Sequence, residues 1–152
     1  MTYEQLNEII MAAIDLFYKN DYYLLEHDVH EQTISSTFAC YLRDIFRKNN
    51  IVWNIDAEYN RNGEIPKRLS CIGNVKPDII IHKRGLNNDN GIENNNLLII
   101  EMKNDPSEAE MSYDLDKIQA FIEEAPFSYC FGVFIGLKRN KTENIYTWKQ
   151  RD

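Results

Sequence analysis

Two stretches of the chain decide its fold, PDIIIHK at residues 77–83 and LLIIEMK at residues 97–103. Both contain uninterrupted runs of apolar residues, which is typical of buried strands. The segment between them, residues 84–96, is polar and rich in Asn, so we predict an antiparallel hairpin with a mobile connecting loop. In such a hairpin the start of the first strand lies beside the end of the second.

This hairpin would gather three charged side chains at one end of the sheet. Asp78 opens the first strand, so we expect it opposite or diagonal to Glu101 and Lys103, which close the second. Glu101 and Lys103 share a face because strand side chains alternate. Two neighbouring carboxylates repel each other unless a cation lies between them, and oxygen ligands are what Mg²⁺ prefers. Taken alone, Glu101 and Lys103 are more simply interpreted as a solvated ion pair at an exposed strand end.

The rest of the chain predicts helices around this hairpin. Apolar residues at three- and four-residue steps indicate an N-terminal amphipathic helix over residues 3–19 and a second helix from Asp28 to about Lys48. The further predicted elements are a strand at 51–59, a hairpin or irregular excursion at 60–76, a helix at 108–124, a central strand at 129–137 and an edge strand at 144–148. We therefore expect an α/β fold, a central mixed β-sheet flanked by helices, as one domain over residues 1–152.

An acidic residue lies on the apolar stripe of the second helix. Phe38, Leu42 and Ile45 follow Glu31 by 7, 11 and 14 residues. At 100° per residue, these positions lie within about 40° of Glu31 around the helix axis. An acidic side chain in the first turn of a helix also interacts favourably with the helix dipole. Glu31 is therefore either a structural acid at the helix start or a contributor to the acidic site.

The spacing of these motifs resembles that of a known superfamily. Pro77-Asp78 followed by Glu101-Met102-Lys103, with the predicted α-α-β-β-β-α-β order, is similar to the PD-(D/E)XK restriction-endonuclease-like nucleases over residues 28–137. The resemblance implies a restriction-endonuclease-like core. It also implies that Asp78 and Glu101 bind Mg²⁺, for which Mn²⁺ substitutes, with the Met102 carbonyl as a third ligand.

The same resemblance implies a reaction. In the superfamily the Lys of the motif, here Lys103, positions or activates the attacking water, and an acid at the position of Glu31 often joins the site. The expected function is metal-dependent cleavage of nucleic acid, with DNA as the expected substrate and Asp78, Glu101, Lys103 and Glu31 as catalytic residues. The alternative is a non-catalytic nuclease-fold subunit or protein-interaction module, which the net charge of −7 favours.

Several polar side chains could contact phosphates of a nucleic acid, although each could also be solvated surface. These candidates are Lys67, Arg68, Lys83, Arg84, Lys117 and Gln119. Glu58 is either a solvent-facing strand residue or an extension of the acidic site. His82 shares a strand face with Asp78, and we favour a hydrogen-bonded structural histidine over a general base.

Composition limits the remaining classes of function. The chain has 152 residues, 43% of them hydrophobic, and its 24 acidic residues outnumber 17 basic ones, which excludes a generic basic nucleic-acid coat protein. The longest apolar run, residues 131–137, is too short for a membrane helix, and no signal peptide is visible. Three cysteines form no even disulfide set, so we expect buried thiols in a cytoplasmic protein. A homodimer or a partner subunit is a further expectation.

Overall fold

The computed structural model describes residues 1–62, 65–70, 72–84, 95–140 and 144–151. Residues 85–94 of the predicted mobile loop lie outside these ranges. The helices and strands are α1 (Tyr3–Asn20), α2 (Tyr22–Glu26), α3 (Glu31–Lys48), β1 (Asn54–Ala57), β2 (Arg61–Asn62), β3 (Ile65–Pro66), β4 (Arg68–Leu69), β5 (Gly73–Asn74), β6 (Ile79–His82), β7 (Asn96–Asn104), α4 (Glu108–Glu123), β8 (Phe131–Leu137) and β9 (Ile145–Gln150).

Five of the strands form one mixed sheet in the order β1-β6-β7-β8-β9. Strands β1, β6 and β7 are antiparallel neighbours, β7 and β8 are parallel, and β9 is an antiparallel edge strand. Helix α4 supplies the crossover that a parallel pair needs. The predicted α/β class, the hairpin and the edge strand are confirmed, and Ile79 lies opposite Ile100 in the hairpin register.

The sheet has a buried core on each face. Helices α1 and α3 cover one face, where they pack on Ile79, Ile81 and Ile100. Helix α4 covers the other face, where it packs on Ile80 and Ile99. Every residue of β8 is buried, as predicted for a central strand between two helical layers.

Local sequence explains where helices α1 and α4 begin. The Thr2 and Ser107 hydroxyls each accept a hydrogen bond from the third residue of the helix that follows, and the side chain of that third residue accepts one in return from the cap backbone. Within the ranges given above, no helix combines the length and the apolar character that a membrane span requires.

Three boundary or burial predictions are wrong. The second predicted helix begins at Glu31 rather than Asp28, because Asp28 adopts a left-handed φ of 52° that interrupts the helix. The first strand covers only residues 54–57 of the predicted 51–59. Cys40 is exposed rather than buried, and Cys130 is half-buried, while Cys71 lies outside the described residues.

Candidate active site

The hairpin brings Asp78 to the end of β7, as the alternating strands predict. The Met102 backbone N–H donates to Asp78 Oδ2 at 2.8 Å. Burial raises the pKa of Asp78, and the Met102 hydrogen bond and the neighbouring ammonium groups of Lys117 and Lys103 oppose that rise. Asp78 is half-buried and lies directly beside the Glu101-Met102-Lys103 motif.

Glu101 is buried at this end of the sheet, with 1% of its surface exposed. Its Oε2 lies 2.8 Å from the Lys117 ammonium, whereas its Oε1 is buried without a hydrogen-bond partner. Burial, and then repulsion from Asp78, raise the pKa of Glu101 well above its usual value. One oxygen of this carboxylate is thus neutralised and the other remains an open acceptor.

Lys103 points from the same strand end towards helix α3. Its ammonium lies 2.6 Å from Glu31 Oε2, with side-chain exposures of 22% for Lys103 and 47% for Glu31. Burial alone would lower the pKa of Lys103, but the Glu31 carboxylate outweighs burial and raises it. Glu31 does contact a motif residue, but the prediction that it lies on the buried stripe is wrong, because it is the exposed first residue of α3.

A third carboxylate at the site, Asp114, was missed in the sequence. It lies on α4 with 3% of its surface exposed, and its Oδ2 is buried without a hydrogen-bond partner. Burial raises the pKa of Asp114 to about 6, against the opposing effect of Lys103 and Lys117. Asp114 and Lys117 precede Phe121 by seven and four residues, so they share its inner helix face. This pattern, an acid and a lysine on an apolar stripe, was the available signal.

We call Asp78, Glu101, Lys103, Asp114 and Lys117 the carboxylate cluster. Three elements build it, because Asp78 directly precedes β6, Glu101 and Lys103 lie on β7, and Asp114 and Lys117 lie on α4. Lys117 is not solvated surface, the alternative given for it above, because its side chain is 12% exposed and is paired with Glu101; that it contacts a phosphate stays a prediction.

Glu58 and His82 have distinct surroundings. Glu58 follows β1 with a φ of 58°, and its N–H donates to the Asp78 carbonyl at 2.8 Å. Its carboxylate pairs with Lys76 and also raises the pKa of Asp78, so it borders the carboxylate cluster. His82 is buried with Nε2 2.9 Å from Asp56 Oδ2, which confirms the structural histidine.

The other candidate phosphate contacts do not surround the carboxylate cluster. Lys67 is buried, 3% exposed, with its ammonium within 6 Å of three aromatic ring centroids, so the prediction that it contacts phosphates is wrong. Lys83 and Arg84 follow the opposite end of β6 from Asp78, and Arg84 forms an ion pair with Asp56. Arg68 is exposed on β4, and Gln119 donates to Glu123 on α4.

Two findings set the terms for a functional assignment. Among the residues that the structure describes, no group of three or more His, Cys, Asp or Glu side chains is gathered closely enough to hold a metal ion. Comparison of the chain with models of known protein families, with curated proteins and with solved structures finds no match. The carboxylate cluster is therefore the feature of the molecule that bears on its function.

Proposed function

We propose that the carboxylate cluster hydrolyses phosphodiester bonds of nucleic acid, with DNA as the expected substrate, in the presence of Mg²⁺ or Mn²⁺. The observation that carries this proposal is Glu101, a buried carboxylate beside Asp78 with one oxygen left without a partner. Leaving a buried carboxylate oxygen unpaired is costly, and such strain is commonly retained at functional sites.

The carboxylate and carbonyl oxygens of the cluster are the type of donor that a hard cation prefers. Asp78 and Glu101 would hold it together with the Met102 carbonyl, and Asp114 Oδ2 is a second buried acceptor without a partner. Such an ion, when bound, supplies Lewis acidity towards a phosphate oxygen and lowers the pKa of a coordinated water. The Lys117 ammonium now neutralises Glu101 at 2.8 Å, so we expect this ion pair to open when the cation enters.

The lysines then contribute fixed positive charge. Lys103 is a cation at neutral pH, and Glu31 raises its pKa further, so it acts as a hydrogen-bond donor that orients water and offsets charge developing on the phosphate. Glu31 fixes the position of the Lys103 ammonium and is a positioning residue. Lys117, once released from Glu101, provides a second donor on the α4 side.

A second function, the non-catalytic nuclease-fold module, is favoured by one observation. The Glu101–Lys117 ion pair and the hydrogen bond from Met102 to Asp78 give two of the three carboxylates of the cluster a partner within the chain. A scaffold that kept the fold for protein interaction would retain this network. It would also show no response to divalent cations, so metal binding separates the two functions.

The test is cleavage of single-stranded, duplex and branched DNA and of RNA, each with Mg²⁺, Mn²⁺ or EDTA. We expect metal-dependent cleavage by the wild type that is absent in EDTA and reduced by about 10²-fold or more in Lys103→Ala. Lys19→Ala removes the same charge at an exposed position of α1 and should retain full activity. Cleavage that persists in EDTA, or no cleavage of any substrate with either metal, would overturn the proposal.

A further inference from the structure

The central sheet ends in two edge strands, β1 and β9, which differ in how their outer backbone groups are satisfied. β1 is four residues long, and the Arg43 Nε donates to its Ile55 carbonyl at 2.9 Å. β9 is six residues long, contains no proline and pairs with β8 without a bulge. Charge, proline, bulges and covering segments are the usual protection of a sheet edge, because a bare edge pairs readily with another strand. β9 is therefore the edge of this sheet that is open to strand addition.

Hydrogen bonds at both ends of β8 show which backbone groups of β9 face outwards. The Arg151 N–H donates to the Cys130 carbonyl at 3.0 Å, and this pair continues the β8–β9 register. At the other end of β8, the Leu137 carbonyl accepts from Asp105 on the β7 side. Backbone groups alternate between the two sides of a strand, so the odd-numbered residues of β9 bond to β8. The even-numbered residues direct their N–H and carbonyl groups away from the sheet, namely Tyr146, Trp148 and Gln150.

This outward row of backbone groups is able to pair with itself. Neither the N–H nor the carbonyl of Tyr146, Trp148 or Gln150 has a hydrogen-bond partner among the residues that the structure describes. If two β9 strands run antiparallel about a two-fold axis at Trp148, Trp148 faces its own copy and Tyr146 faces Gln150 of the second copy. Each of these pairs exchanges two hydrogen bonds. The charged residue of the strand, Lys149, then lies opposite Thr147, so like charges do not meet across the axis.

The surface beside this edge is apolar and belongs to α1. The Tyr3 ring lies 5.1 Å from the Trp148 ring, and the Tyr18 hydroxyl is hydrogen-bonded to Asn144 directly before β9, so α1 runs alongside the strand. Met11 lies between Tyr3 and Tyr18 in the sequence, and all three fall within an arc of about 80° around the helix axis. Tyr3 and Met11 are large side chains that remain 39% and 38% exposed. An apolar stripe of α1 therefore flanks the open strand edge.

A second copy of the chain is the occupant that covers both features. Two-fold pairing of β9 keeps the same face of each copy on the same side of the joined sheet, so α1 of one copy lies beside α1 of the other. An added peptide strand would satisfy the same backbone groups but would leave Tyr3 and Met11 exposed. A six-residue strand pair alone is also small against the roughly 1,200–2,000 Å² that stable interfaces bury. The helix contact supplies the area that the strand pair lacks.

We propose that β9 pairs antiparallel with β9 of a second copy of this chain, with α1 packed against α1. The pairing joins two five-stranded sheets into one continuous sheet. The proposal does not depend on the proposed function, because the carboxylate cluster is built from β6, β7 and α4. A chain that pairs in this way without cleaving nucleic acid removes only the nuclease, and a monomeric nuclease removes only the pairing.

Amide hydrogen exchange, followed by NMR, tests this pairing residue by residue. The N–H groups of Tyr146, Trp148 and Gln150 should exchange rapidly in dilute protein and more slowly, by about tenfold or more, in concentrated protein. The N–H groups of Thr147 and Lys149 bond to β8 and should be slow at both concentrations, so they are internal controls. Rapid exchange of the three outward groups at every concentration would overturn the proposal. Protection of these groups that does not depend on concentration would also overturn it.

A proline at Gln150 separates the strand contact from the fold of the single chain. Proline is tolerated in an edge strand where the replaced N–H faces away from the sheet, and Gln150 is exposed. Gln150→Pro should therefore weaken self-association, measured by sedimentation equilibrium, by about tenfold or more. Gln150→Ala keeps the N–H and should leave self-association nearly unchanged. Equal association of the two variants would contradict pairing through this edge.

A second pair of variants tests the helix contact and leaves β9 intact. Met11→Glu places a charge on the apolar stripe and should weaken self-association. Ala12→Glu adds the same charge at an exposed position on the other side of α1, where Ala12 lines a groove with Ile45 and Asn49 of α3, and should have little effect. Equal effects of these two variants, or a wild type that stays monomeric in concentrated solution, would overturn the proposal. Protection of the outward N–H groups of a monomer by an added peptide would assign the edge to a peptide partner instead.

Discussion

The Glu101–Lys117 ion pair is the most enclosed charge pair of the carboxylate cluster, with side-chain exposures of 2% and 12%. Removing one partner of a buried pair leaves the other charge uncompensated, which costs far more than breaking a surface pair. We therefore expect Lys117→Met to lower the free energy of unfolding at pH 8 by about 3 kcal/mol. Chemical denaturation of wild type and variant measures this change.

Lys103 provides the matched control for that prediction, because its partner Glu31 is 47% exposed. Lys103→Met should change stability by only about 0–1 kcal/mol. Adding Glu101→Gln to Lys117→Met should recover most of the loss, because the orphaned charge is then removed. Equal and small effects of both single variants would show that the Glu101–Lys117 pair is not a buried charge pair.

Lys67 gives the fold a second buried charge, away from the carboxylate cluster. Burial lowers its pKa to about 8 from 10.5, and its ammonium donates to the Tyr129 hydroxyl at 3.3 Å. Between pH 8 and 10.5 the unfolded chain binds the proton that the folded chain has lost, so stability rises with pH across this window. Across the whole window the free energy of unfolding rises by about 3 kcal/mol, since each unit of pKa difference corresponds to 1.36 kcal/mol.

The corresponding prediction concerns Lys67→Met. We expect this variant to be more stable than wild type at pH 7 and to lose the wild-type rise in unfolding free energy between pH 7.5 and 9.5. Arg68→Met, at the exposed neighbouring position, should keep the wild-type rise. If the unfolding free energies of wild type and Lys67→Met change with pH in parallel, Lys67 is not a buried lysine that loses its proton in this range.

At the level of single residues, sequence reasoning succeeded where a short-range rule applied. Strand alternation and the hairpin brought Asp78 beside Glu101, since both depend only on local periodicity. Lys67 and Arg68 are adjacent basic residues of which one is buried and the other exposed. Which one turns inward depends on the packing of aromatic rings from distant segments, such as Tyr129, and no local pattern contains that information.

At the level of elements, α4 packs directly against a glycine of β8. A Cβ built on Gly132 of β8 would lie 2.3 Å from Ile118 Cγ2, so the strand and the helix can pack closely only because this side chain is missing. We expect Gly132→Ala to lower the free energy of unfolding by about 2 kcal/mol. It should also move Asp114 and Lys117, because both lie on the helix that is displaced.

Ile118→Ala supplies the control for this prediction. Alone it removes buried contacts and costs about 2–5 kcal/mol. Combined with Gly132→Ala it also removes the clashing methyl group, so the double variant should be at least about 1 kcal/mol more stable than the sum of the single losses predicts. If the losses of unfolding free energy of the two single variants simply add in the double variant, as measured by chemical denaturation, the proposed clash is ruled out.

Helices and strands could be predicted wherever the spacing of apolar residues stayed regular over the whole element. The helices over 3–20 and 108–123 and the strand over 131–137 fall close to their predicted ranges. The short helix α2 was not predicted, because five residues carry too little periodicity to separate a helix from a turn. Residues 51–53 were assigned to a strand from their β-branched and aromatic character, but they have no strand partner in the described sheet, and tertiary context outweighs propensity at a sheet edge.

On the scale of the whole molecule, the two ends of β6 carry different charged groups. Asp78 of the carboxylate cluster directly precedes the strand, and Lys83 and Arg84 follow it. From the sequence we predicted one site with scattered phosphate contacts. That Lys83 and Arg84 lie at the opposite end of β6 from Asp78 depends on the bounds and pairing of the strands, which the structure supplies.

The central claim, that the carboxylate cluster binds a divalent cation, is tested most directly by thermal melts with and without Mn²⁺. A ligand at about 100 times its dissociation constant adds about 2.7 kcal/mol of stability, which raises the Tm of a chain of this length by roughly 5–10 °C. We predict this rise for wild type and for Glu108→Gln, an exposed acid in the first turn of α4, and little or no rise for Glu101→Gln. An equal rise in all three proteins, or none in the wild type, would contradict the account.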